Sequence, residues 1–332
     1  MYSYKGCTVV VTGATGLIGS NLVHALMAME QVKVIAVSRS KEKAKCCFGD
    51  YFQSPRFQFI AQDIAKQLEI NEPIHYIFHA AGPVAGSIIK ETPLDVILPN
   101  LVGVRNCLEL LKKQREIFGV QGRMIVFSSA TIYGGNDQEK RIVTENDTEI
   151  APFLHDANIC YSETKRMVEV IAKAYAQQEA IDIVIGRFSY VYGFSECHPN
   201  TAFFEFIDTA LCGENIHINS PTLYMRDNIF VDDAVEGILT IGQKGVSGEA
   251  YNISSNGELG NYASVDKMAN EIISIINKLR KTKESIGVRV PDCGVTKLFG
   301  VQLDNSKLKS LGWKIEHSLK MGIEKTIDKI IQ

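Results

Sequence analysis

One glycine-rich segment, residues 12–19, constrains the fold of this chain more than any other feature. It follows a short β-branched run at 8–11, typical of a buried strand, and precedes a stretch with helical spacing of apolar residues at 20–29. Its three glycines allow a tight turn, close approach of the backbone to a ligand, and close packing of helix on sheet. The helix N-terminus also presents free N–H groups and a positive dipole end to phosphates. The context predicts a dinucleotide-binding loop.

Strand and helix patterns alternate through the first half of the chain. Strands are predicted at 32–37, 57–60, 76–79, 124–127 and 181–185, and helices at 41–47, 94–113 and 161–178. This alternation predicts an α/β fold of the Rossmann type, a doubly wound parallel sheet covered by helices on both faces.

The alternation of strand and helix patterns breaks down after about Gly193, which predicts a second, smaller and discontinuous domain. We assign residues 1–186 plus about 223–245 to the dinucleotide-binding domain. About 187–222 plus 246–332 are assigned to an α/β substrate-binding cap. Asp232 and Asp233 are interpreted as caps of a helix that continues to about Ile241.

Composition excludes several classes of protein. The 332 residues are 45% hydrophobic and 22% charged, with a net charge of −3, which disfavours disorder and a dedicated nucleic-acid binder. No apolar run is long enough to span a membrane, and residues 1–6 do not resemble a signal peptide. Eight scattered cysteines without a C-x-x-C pair indicate reduced thiols in a cytoplasmic protein. The adjacent Cys46 and Cys47 are interpreted as incidental, and no metal site is expected.

The end of the second predicted strand bears on the choice of cofactor. It carries Ser38 and Arg39 where NAD-preferring sites usually have an acid for the ribose 2′-hydroxyl. An arginine there can accommodate a 2′-phosphate, so the local chemistry leans towards NADP, although Arg39 could stack on the adenine of either cofactor. Asp63 and Ile64, after the third strand, are suitably placed for the adenine edge.

A candidate catalytic group lies at the start of a predicted helix. Tyr161 and Lys165 are one helical turn apart and share a face. A phenol is a poor base at neutral pH, but a nearby ammonium favours its phenolate form. Ser129, at the end of the strand 124–127, could hydrogen-bond the same substrate hydroxyl. The three residues predict proton transfer at a hydroxyl-bearing carbon.

Together these motifs resemble the extended short-chain dehydrogenase/reductase family, in its nucleotide-sugar epimerase/dehydratase/decarboxylase branch. The resemblance covers nearly the whole chain and rests on residues 12–19, 63–64, 79–82, 100, 127–134, 161–165, 191–193, 226–233 and 311–313. It implies that Lys165 binds the nicotinamide ribose and that Ser129 and Tyr161 face a hexose. It also implies that Arg226 holds the substrate diphosphate and that two long helices pair into a homodimer.

The residues and the resemblance together predict the following sites. The cofactor, NAD or NADP, is expected to contact Gly13, Thr15, Gly16, Leu17, Ile18, Gly19, Ser38, Arg39, Asp63, Ile64, Ala80, Ala81, Gly82, Asn100 and Lys165. A nucleotide-diphosphate sugar is expected to contact Ser129, Tyr161, Tyr190 and Arg226. Tyr190 departs from the Asn usual in the family.

The reaction type depends on two positions after Ser129. Dehydratases that resemble this chain carry acids there and decarboxylases retain one Glu, whereas this chain has Ala130 and Thr131. Residues 93–100 and 160–166 look closest to UDP-glucuronate decarboxylase-like proteins. Epimerisation through a 4-keto intermediate needs only Tyr161, Lys165 and the cofactor beside Ser129, and is our preferred hypothesis. The alternatives are a 4-dehydrogenase or 4-keto reductase, a decarboxylase-like enzyme, and a non-catalytic NADP-binding sensor or scaffold.

Two further interpretations concern charged groups near the predicted site. Arg187 and Arg226 each end or precede a strand and could together suit a diphosphate, since guanidinium binds phosphate oxygens bidentately; each could instead be a surface charge. His79, at a strand end, is interpreted as a packed, hydrogen-bonded residue and not as a catalyst.

Overall fold

The computed structural model describes residues 4–82, 91–134, 141–147, 159–218, 225–280, 285–291 and 300–332. Its strands are β1 (Thr8–Thr12), β2 (Lys33–Ser38), β3 (Phe57–Ala61), β4 (Tyr76–His79), β5 (Arg123–Ser129), β6 (Arg141–Val143), β7 (Asp182–Phe188), β8 (Tyr190–Tyr192), β9 (Ile216–His217), β10 (Met225–Phe230), β11 (Ala250–Ile253), β12 (Tyr262–Ser264), β13 (Val288–Arg289) and β14 (Val301–Leu303).

The described helices cover both domains predicted from the sequence. They are α1 (Leu17–Ala28), α2 (Lys41–Phe48), α3 (Leu94–Phe118), α4 (Ile159–Glu179), α5 (Ala202–Leu211), α6 (Val231–Lys244), α7 (Val265–Leu279), α8 (Ser306–Ser310) and α9 (Leu319–Ile331). Within the described ranges, no helix is long and apolar enough to cross a lipid bilayer.

Seven strands form one parallel sheet in the order β11-β7-β5-β4-β1-β2-β3. The chain moves outward from β1 to β2 and β3, then returns to pair β4 on the other side of β1. Such a reversal opens a crevice at the carboxyl ends of the strands, where ligands of open α/β sheets bind. The predicted Rossmann-type doubly wound sheet is confirmed.

The strand β1 shows why this sheet is covered on both faces. Its alternate residues Val9 and Val11 belong to one apolar cluster, with Leu22 of α1 and Ile238 of α6. Val10, which points the other way, belongs to a second cluster with α3 and α4. A strand that is buried on both faces needs the continuous β-branched run that this sequence carries.

One boundary of the predicted cap needs correction. The range 246–332 was assigned wholly to the cap, but β11, within it, is an edge strand of the large sheet and pairs with β7. The apolar run of β11 is short, and its place in the sheet depends on a partner some 65 residues earlier, as in the pair Ala250 with Ile185. The other strands form three small sheets, β12-β10-β8, β13-β9 and β14-β6, and the last of these joins the late strand β14 to β6 at residues 141–143.

The prediction that Asp232 and Asp233 cap α6 is wrong. The residue at the cap position is Phe230, and no side chain caps the helix. Asp233 instead accepts hydrogen bonds from the backbone N–H of Glu316 (3.2 Å) and His317 (3.0 Å). The carboxylate therefore anchors the segment that leads into the C-terminal helix, a role that local sequence could not reveal.

Candidate active site

A cavity of about 270 Å³ lies at the carboxyl ends of β1, β2 and β4. It is lined by Gly13, Thr15, Gly16, Val37, Ser38, Arg39, Ser40, Lys43, Gln62, Asp63, Ile64, Ala80, Ala81, Gly82 and Pro99. Ten of the residues predicted to contact a cofactor therefore line one cavity. They are Gly13, Thr15 and Gly16 of the glycine loop, Ser38, Arg39, Asp63 and Ile64 at the ends of β2 and β3, and Ala80, Ala81 and Gly82 after β4. The cavity lies at the reversal in strand order, where a dinucleotide is expected.

The glycine loop is shaped by close backbone contacts. Gly13 has φ +66°, and a Cβ there would lie 2.7 Å from the backbone of Ala81. A Cβ on Gly19 would collide with the carbonyl oxygen of Gly13. These contacts explain why larger residues are excluded, and they bring the start of α1 close to the end of β4.

The polar lining of the cavity fits a dinucleotide. The Ser38 hydroxyl is buried and makes no hydrogen bond to any described residue, so a ribose hydroxyl would supply the missing partner. Asp63 lines the same cavity while its carboxylate accepts a hydrogen bond from the backbone N–H of Ala65 (2.8 Å). The residues present thus fit NAD or NADP.

Three polar residues that line this cavity are not among those predicted from the sequence: Ser40, Lys43 and Gln62. Lys43 lies one helical turn beyond Arg39 and both side chains are exposed. Ser40 caps α2 by accepting a hydrogen bond from the backbone N–H of Lys43 (3.1 Å). The spacing of Arg39 and Lys43 across a helix start could have signalled this second cation.

Five predicted cofactor residues do not line the cavity. Leu17 and Ile18 pack against the apolar core, and Gly19 sits against the glycine turn. Asn100 is buried next to Gly82 and donates a hydrogen bond to the carbonyl of Val96 (2.7 Å). The fifth, Lys165, belongs to the neighbouring group of side chains.

Tyr161 of α4 and Ser129 at the end of β5 lie within hydrogen-bonding distance of each other. Burial raises the pKa of Tyr161 to about 12, and its hydrogen bond with Ser129 partly offsets the effect. The expected lowering of the Tyr161 pKa by Lys165 is not found: in the protein without a ligand, only the hydrogen bond with Ser129 lowers it. Thr131, which stands at a position where related dehydratases carry an acid, donates a hydrogen bond from its hydroxyl to Ser129 Oγ (3.1 Å).

Lys165 completes the group. Its ammonium lies 5.8 Å from the centroid of the Tyr161 ring and donates a hydrogen bond to the carbonyl of Phe127 (3.0 Å). The side chain is buried, which lowers the pKa of Lys165 to about 8, although the charge of Glu169 opposes the change. The predicted trio is thus assembled by one strand end and the first turns of one helix.

His79, at the end of β4, contacts the residue that precedes the glycine loop. Its Nδ1 is 2.9 Å from the hydroxyl of Thr12, the residue just before the loop. Burial, aided by the charge of Lys165, lowers the pKa of His79 to about 3. The imidazole is therefore neutral at physiological pH, and its interpretation as a packed, hydrogen-bonded residue is confirmed. Among the described residues, no cluster of His, Cys, Asp or Glu is arranged to hold a metal ion.

Arg226 and Tyr190 meet across the paired strands β10 and β8. The guanidinium carbon of Arg226 lies 4.7 Å from the centroid of the Tyr190 ring, and the two side chains also share a hydrogen bond. Burial raises the pKa of Tyr190, while the Arg226 charge opposes the rise. The two predicted substrate-binding residues that lie outside the trio are therefore in direct contact with each other.

Arg187 is neither a surface charge nor a partner of Arg226, which corrects both interpretations. It is buried and pairs bidentately with Glu169 of α4, through Nε (3.0 Å) and Nη2 (2.8 Å). Nη1 also donates to the Tyr133 hydroxyl (2.9 Å). Burial alone would lower the pKa of Arg187, but the carboxylate of Glu169 raises it above its usual value. Each of its three nitrogens donates a hydrogen bond inside the protein, so the residue holds α4 against the sheet.

Comparison with known proteins gives consistent results. The sequence profile described as the NAD dependent epimerase/dehydratase family matches residues 9–254. UDP-glucuronic acid decarboxylase 6 of Arabidopsis thaliana is 28% identical over 320 residues, covering 95% of this chain and 86% of that protein.

Solved structures share the fold along the whole chain. An epimerase from the methanogen Methanothermobacter thermautotrophicus is 25% identical and superposes with a TM-score of 0.80. The superposition covers 99% of this chain and 93% of that one. UDP-glucuronic acid 4-epimerase from Bacillus cereus, solved with UDP-glucuronic acid and NAD, is 24% identical with a TM-score of 0.77, covering 98% of this chain and 99% of that one. With the profile match over most of its length, the chain belongs to the NAD dependent epimerase/dehydratase family of enzymes.

Proposed function

We propose that this enzyme is a nucleotide-sugar epimerase that inverts C4 through a 4-keto intermediate. The observation that carries the proposal is the hydrogen-bonded pair of Tyr161 and Ser129 beside the buried ammonium of Lys165. The positions that follow Ser129 hold Ala130 and Thr131, which offer no carboxylate. This set can move a proton at one hydroxyl group and do little else.

The proposed chemistry follows from these groups. Tyr161 accepts the proton of the sugar 4-hydroxyl, and Ser129 donates a hydrogen bond to that oxygen as it becomes a carbonyl. Lys165 stabilises the phenolate by its charge and binds the cofactor ribose. When bound, an oxidised nicotinamide cofactor would accept the C4 hydride and return it to the opposite face of the ketone, and its positive charge would further favour the phenolate. Tyr161 then returns the proton after the ketone has presented its other face.

Thr131 is the reason for preferring epimerisation over elimination or decarboxylation. Its hydroxyl donates to Ser129 Oγ at 3.1 Å, which leaves the Ser129 proton available for the substrate oxygen. Water elimination needs a general acid at this position, and a threonine hydroxyl is too weak an acid for that task. A decarboxylase-like activity is disfavoured for the same reason, because its Glu is absent from these positions.

Arg226 is proposed to hold the diphosphate of the substrate. Its guanidinium is supported from one side by the Tyr190 ring, at 4.7 Å from the centroid, so it is held in place before a ligand arrives. A preorganised guanidinium suits bidentate phosphate binding. Binding energy from the diphosphate then positions the distant sugar carbon. The division into a Rossmann domain and a cap that selects the sugar stays a prediction.

For the cofactor we propose a preference for NADP. Arg39 and Lys43 place two exposed cations beside the Ser38 end of the cavity, and an acid for the 2′-hydroxyl is absent from the turn 38–40. Replacing Arg39 with Ala should weaken NADP binding selectively when both dissociation constants are measured. Equal weakening for NAD and NADP would contradict this preference.

We also propose a homodimer that buries α3 and α4, which pack side by side. Leu98 of α3 is 55% exposed and Val170 of α4 is 58% exposed, although both are apolar. A second copy of this chain would cover both. Sedimentation should give a dimer that Val170→Glu dissociates, while Val246→Glu, at another exposed valine, leaves it intact. A wild-type monomer would refute the proposal.

The reaction itself can be tested with a panel of UDP-, GDP-, CDP- and dTDP-sugars. Incubation with catalytic NAD or NADP should convert one of them to an isobaric product without net change in the cofactor, as followed by mass spectrometry and absorbance at the reduced nicotinamide band. Tyr161→Phe should bind the cofactor and form no product.

Other outcomes would select the alternatives. Loss of CO₂ would indicate a decarboxylase, and stoichiometric oxidation or reduction of the cofactor a 4-dehydrogenase or 4-keto reductase. Cofactor binding without product from any sugar would favour a sensor or scaffold.

A further inference from the structure

Three thiols from two distant parts of the chain meet outside the active site. Cys46 and Cys47 lie on α2, and Cys197 lies beyond β8, 150 residues after Cys47. The sulfur atoms of Cys47 and Cys197 are 3.5 Å apart, and Cys46 also hydrogen-bonds with Cys197. Cys197 thus touches both members of the adjacent pair, which the sequence alone left as incidental.

The segment that carries Cys197 is held against the dinucleotide domain by several contacts. Asn21 of α1 donates to the carbonyl of Phe194 (2.9 Å), and His24 of α1 contacts the Glu196 carboxylate (3.0 Å). These contacts fix the distance between the sulfur atoms in the folded protein, so the close approach of the thiols is built into the fold.

The three thiols differ in access to solvent. Cys46 is exposed, Cys197 is partly buried and Cys47 is buried. Burial is the main cause that raises the pKa of Cys47, and the neighbouring Cys197 is the main cause for Cys46. Burying a thiolate here is costly, whereas a disulfide is neutral and suits the apolar side of the cluster. Among the described residues, these thiols are not part of a cluster arranged to hold a metal ion.

We infer that Cys47 and Cys197 form a redox-active dithiol that closes to a disulfide, with Cys46 as the thiol through which a small-molecule disulfide enters. Cys46 attacks the small disulfide and releases one thiol, and Cys197 displaces the second from the mixed disulfide. Cys47 then displaces Cys46 from Cys197. Overall two protein thiols lose two electrons and two protons, and one small-molecule disulfide is reduced to two thiols.

The bond would connect two parts of the molecule that handle different ligands. The carbonyl of Lys43 accepts a weak hydrogen bond from Cys197 Sγ (3.7 Å), and Lys43 also lines the cofactor cavity. Cys197 follows β8, which carries Tyr190. The disulfide would therefore tie the adenosine end of the cofactor site to the segment that follows the proposed sugar site, independently of the reaction catalysed.

The test is to incubate the whole protein with mixtures of oxidised and reduced glutathione and to map the products by mass spectrometry. We expect the loss of two hydrogens, a crosslinked peptide that joins Cys47 to Cys197, and a higher thermal midpoint that reductant reverses. Cys46→Ser should slow the closure roughly tenfold without changing its end point, because the exposed entry thiol is lost.

Two control variants make the result decisive. Cys197→Ser should abolish the crosslink and the rise in thermal midpoint, and Cys212→Ser, which removes another exposed thiol, should change neither. A lasting mixed disulfide on Cys46, a final bond between Cys46 and Cys197, or no reaction under oxidising mixtures would each overturn the proposal.

Discussion

Two buried cations lie at helix α4, Lys165 on the helix itself and Arg187 packed against it, and their pKa values shift in opposite directions. Lys165 lies in the active-site region and is bonded to the Phe127 carbonyl, with the carboxylate of Glu169 acting on it only at a distance. Arg187, on β7, forms a bidentate ion pair with Glu169 and donates one further hydrogen bond to the Tyr133 hydroxyl. The pKa of Lys165 falls to about 8, whereas that of Arg187 rises.

The difference teaches how one helix can carry both structure and chemistry. A buried charge with a full set of partners stays ionised and holds secondary-structure elements together. Its removal leaves the partner charge buried without compensation, which destabilises the fold. A buried charge without a carboxylate partner is poised to change its protonation state and to act on a neighbour. Glu169 therefore supports α4 through Arg187 while leaving Lys165 adjustable.

The largest effect should come from removing the adjustable cation. Lys165→Met is expected to lower kcat by about 10²–10⁴-fold, because Tyr161 loses the nearest positive charge that supports its phenolate. Steady-state kinetics on the sugar identified in the panel would measure the loss. Lys173→Met, at an exposed lysine of the same helix, should leave kcat unchanged; a similar loss in both would remove the distinction.

Removing Arg187, the paired cation, should mainly lower the free energy of unfolding. Arg187→Met leaves the Glu169 carboxylate buried without its partner and is expected to cost about 3–5 kcal/mol in the free energy of unfolding. Replacing Glu169 with Leu in the same chain should recover most of that cost, which a double-mutant cycle by chemical denaturation can measure. Lys112→Met, which breaks a more exposed pair with Glu179, should cost less than about 1 kcal/mol.

The pH dependence of stability separates the two cations further. The pKa of Lys165 is 10.5 in an unperturbed lysine and about 8 in the folded protein. Between these values the unfolded chain binds more protons than the native one, so this residue's contribution to stability rises with pH. Burying the charged Lys165 lowers the free energy of unfolding by about 3 kcal/mol. This destabilisation is fully present below pH 8 and is gone by about pH 10.5.

Denaturation of wild type and Lys165→Met across pH 7–11 would test the sign. The wild type should be the less stable of the two at pH 7, and the gap should narrow as the pH rises. A constant gap would mean that Lys165 is not held in this environment.

Arg226 is intermediate, because it is stacked on Tyr190 but still reachable by a ligand, and its effect should be the smallest. Arg226→Ala is expected to raise KM for the nucleotide sugar by about 10–100-fold, through the loss of charge-assisted hydrogen bonds worth about 1.5–3 kcal/mol. The dissociation constant of the cofactor should not change. An unchanged KM would mean that the diphosphate binds elsewhere.

Much of the dinucleotide end could be predicted because its signals are local. The glycines of 13–19 follow a strand and open a helix, and the turn 80–82 follows another, so that parallel-strand topology alone brings them together. The meeting of Tyr161 with Ser129 was predictable in the same way, from a helix start and a strand end. Lys43 is harder to predict because no glycine marks its position, and only its spacing from Arg39 across the start of α2 points to the cavity.

The later part of the chain was less readable, since its contacts join residues far apart in sequence. The sequence predicts Arg187 as a surface or ligand-binding charge, because nothing near it in sequence identifies Glu169 as its partner. It predicts Asp233 as a helix cap, a common local role, and β11 as part of the substrate-binding cap. In each case the sequence suggests a role among near neighbours, whereas the folded chain makes a contact with residues distant in sequence.

The sequence by itself therefore determined the doubly wound sheet, the glycine loop, and the identity of the tyrosine, serine and lysine that meet at its edge. These follow from periodicity and from residues whose chemistry works within one turn or one strand end. The tertiary structure alone decided which buried cation is paired, what Arg226 stacks on, and that Cys47 meets Cys197. Burial and pairing set the pKa and reactivity of a group, and both depend on residues that the chain brings together only when it folds.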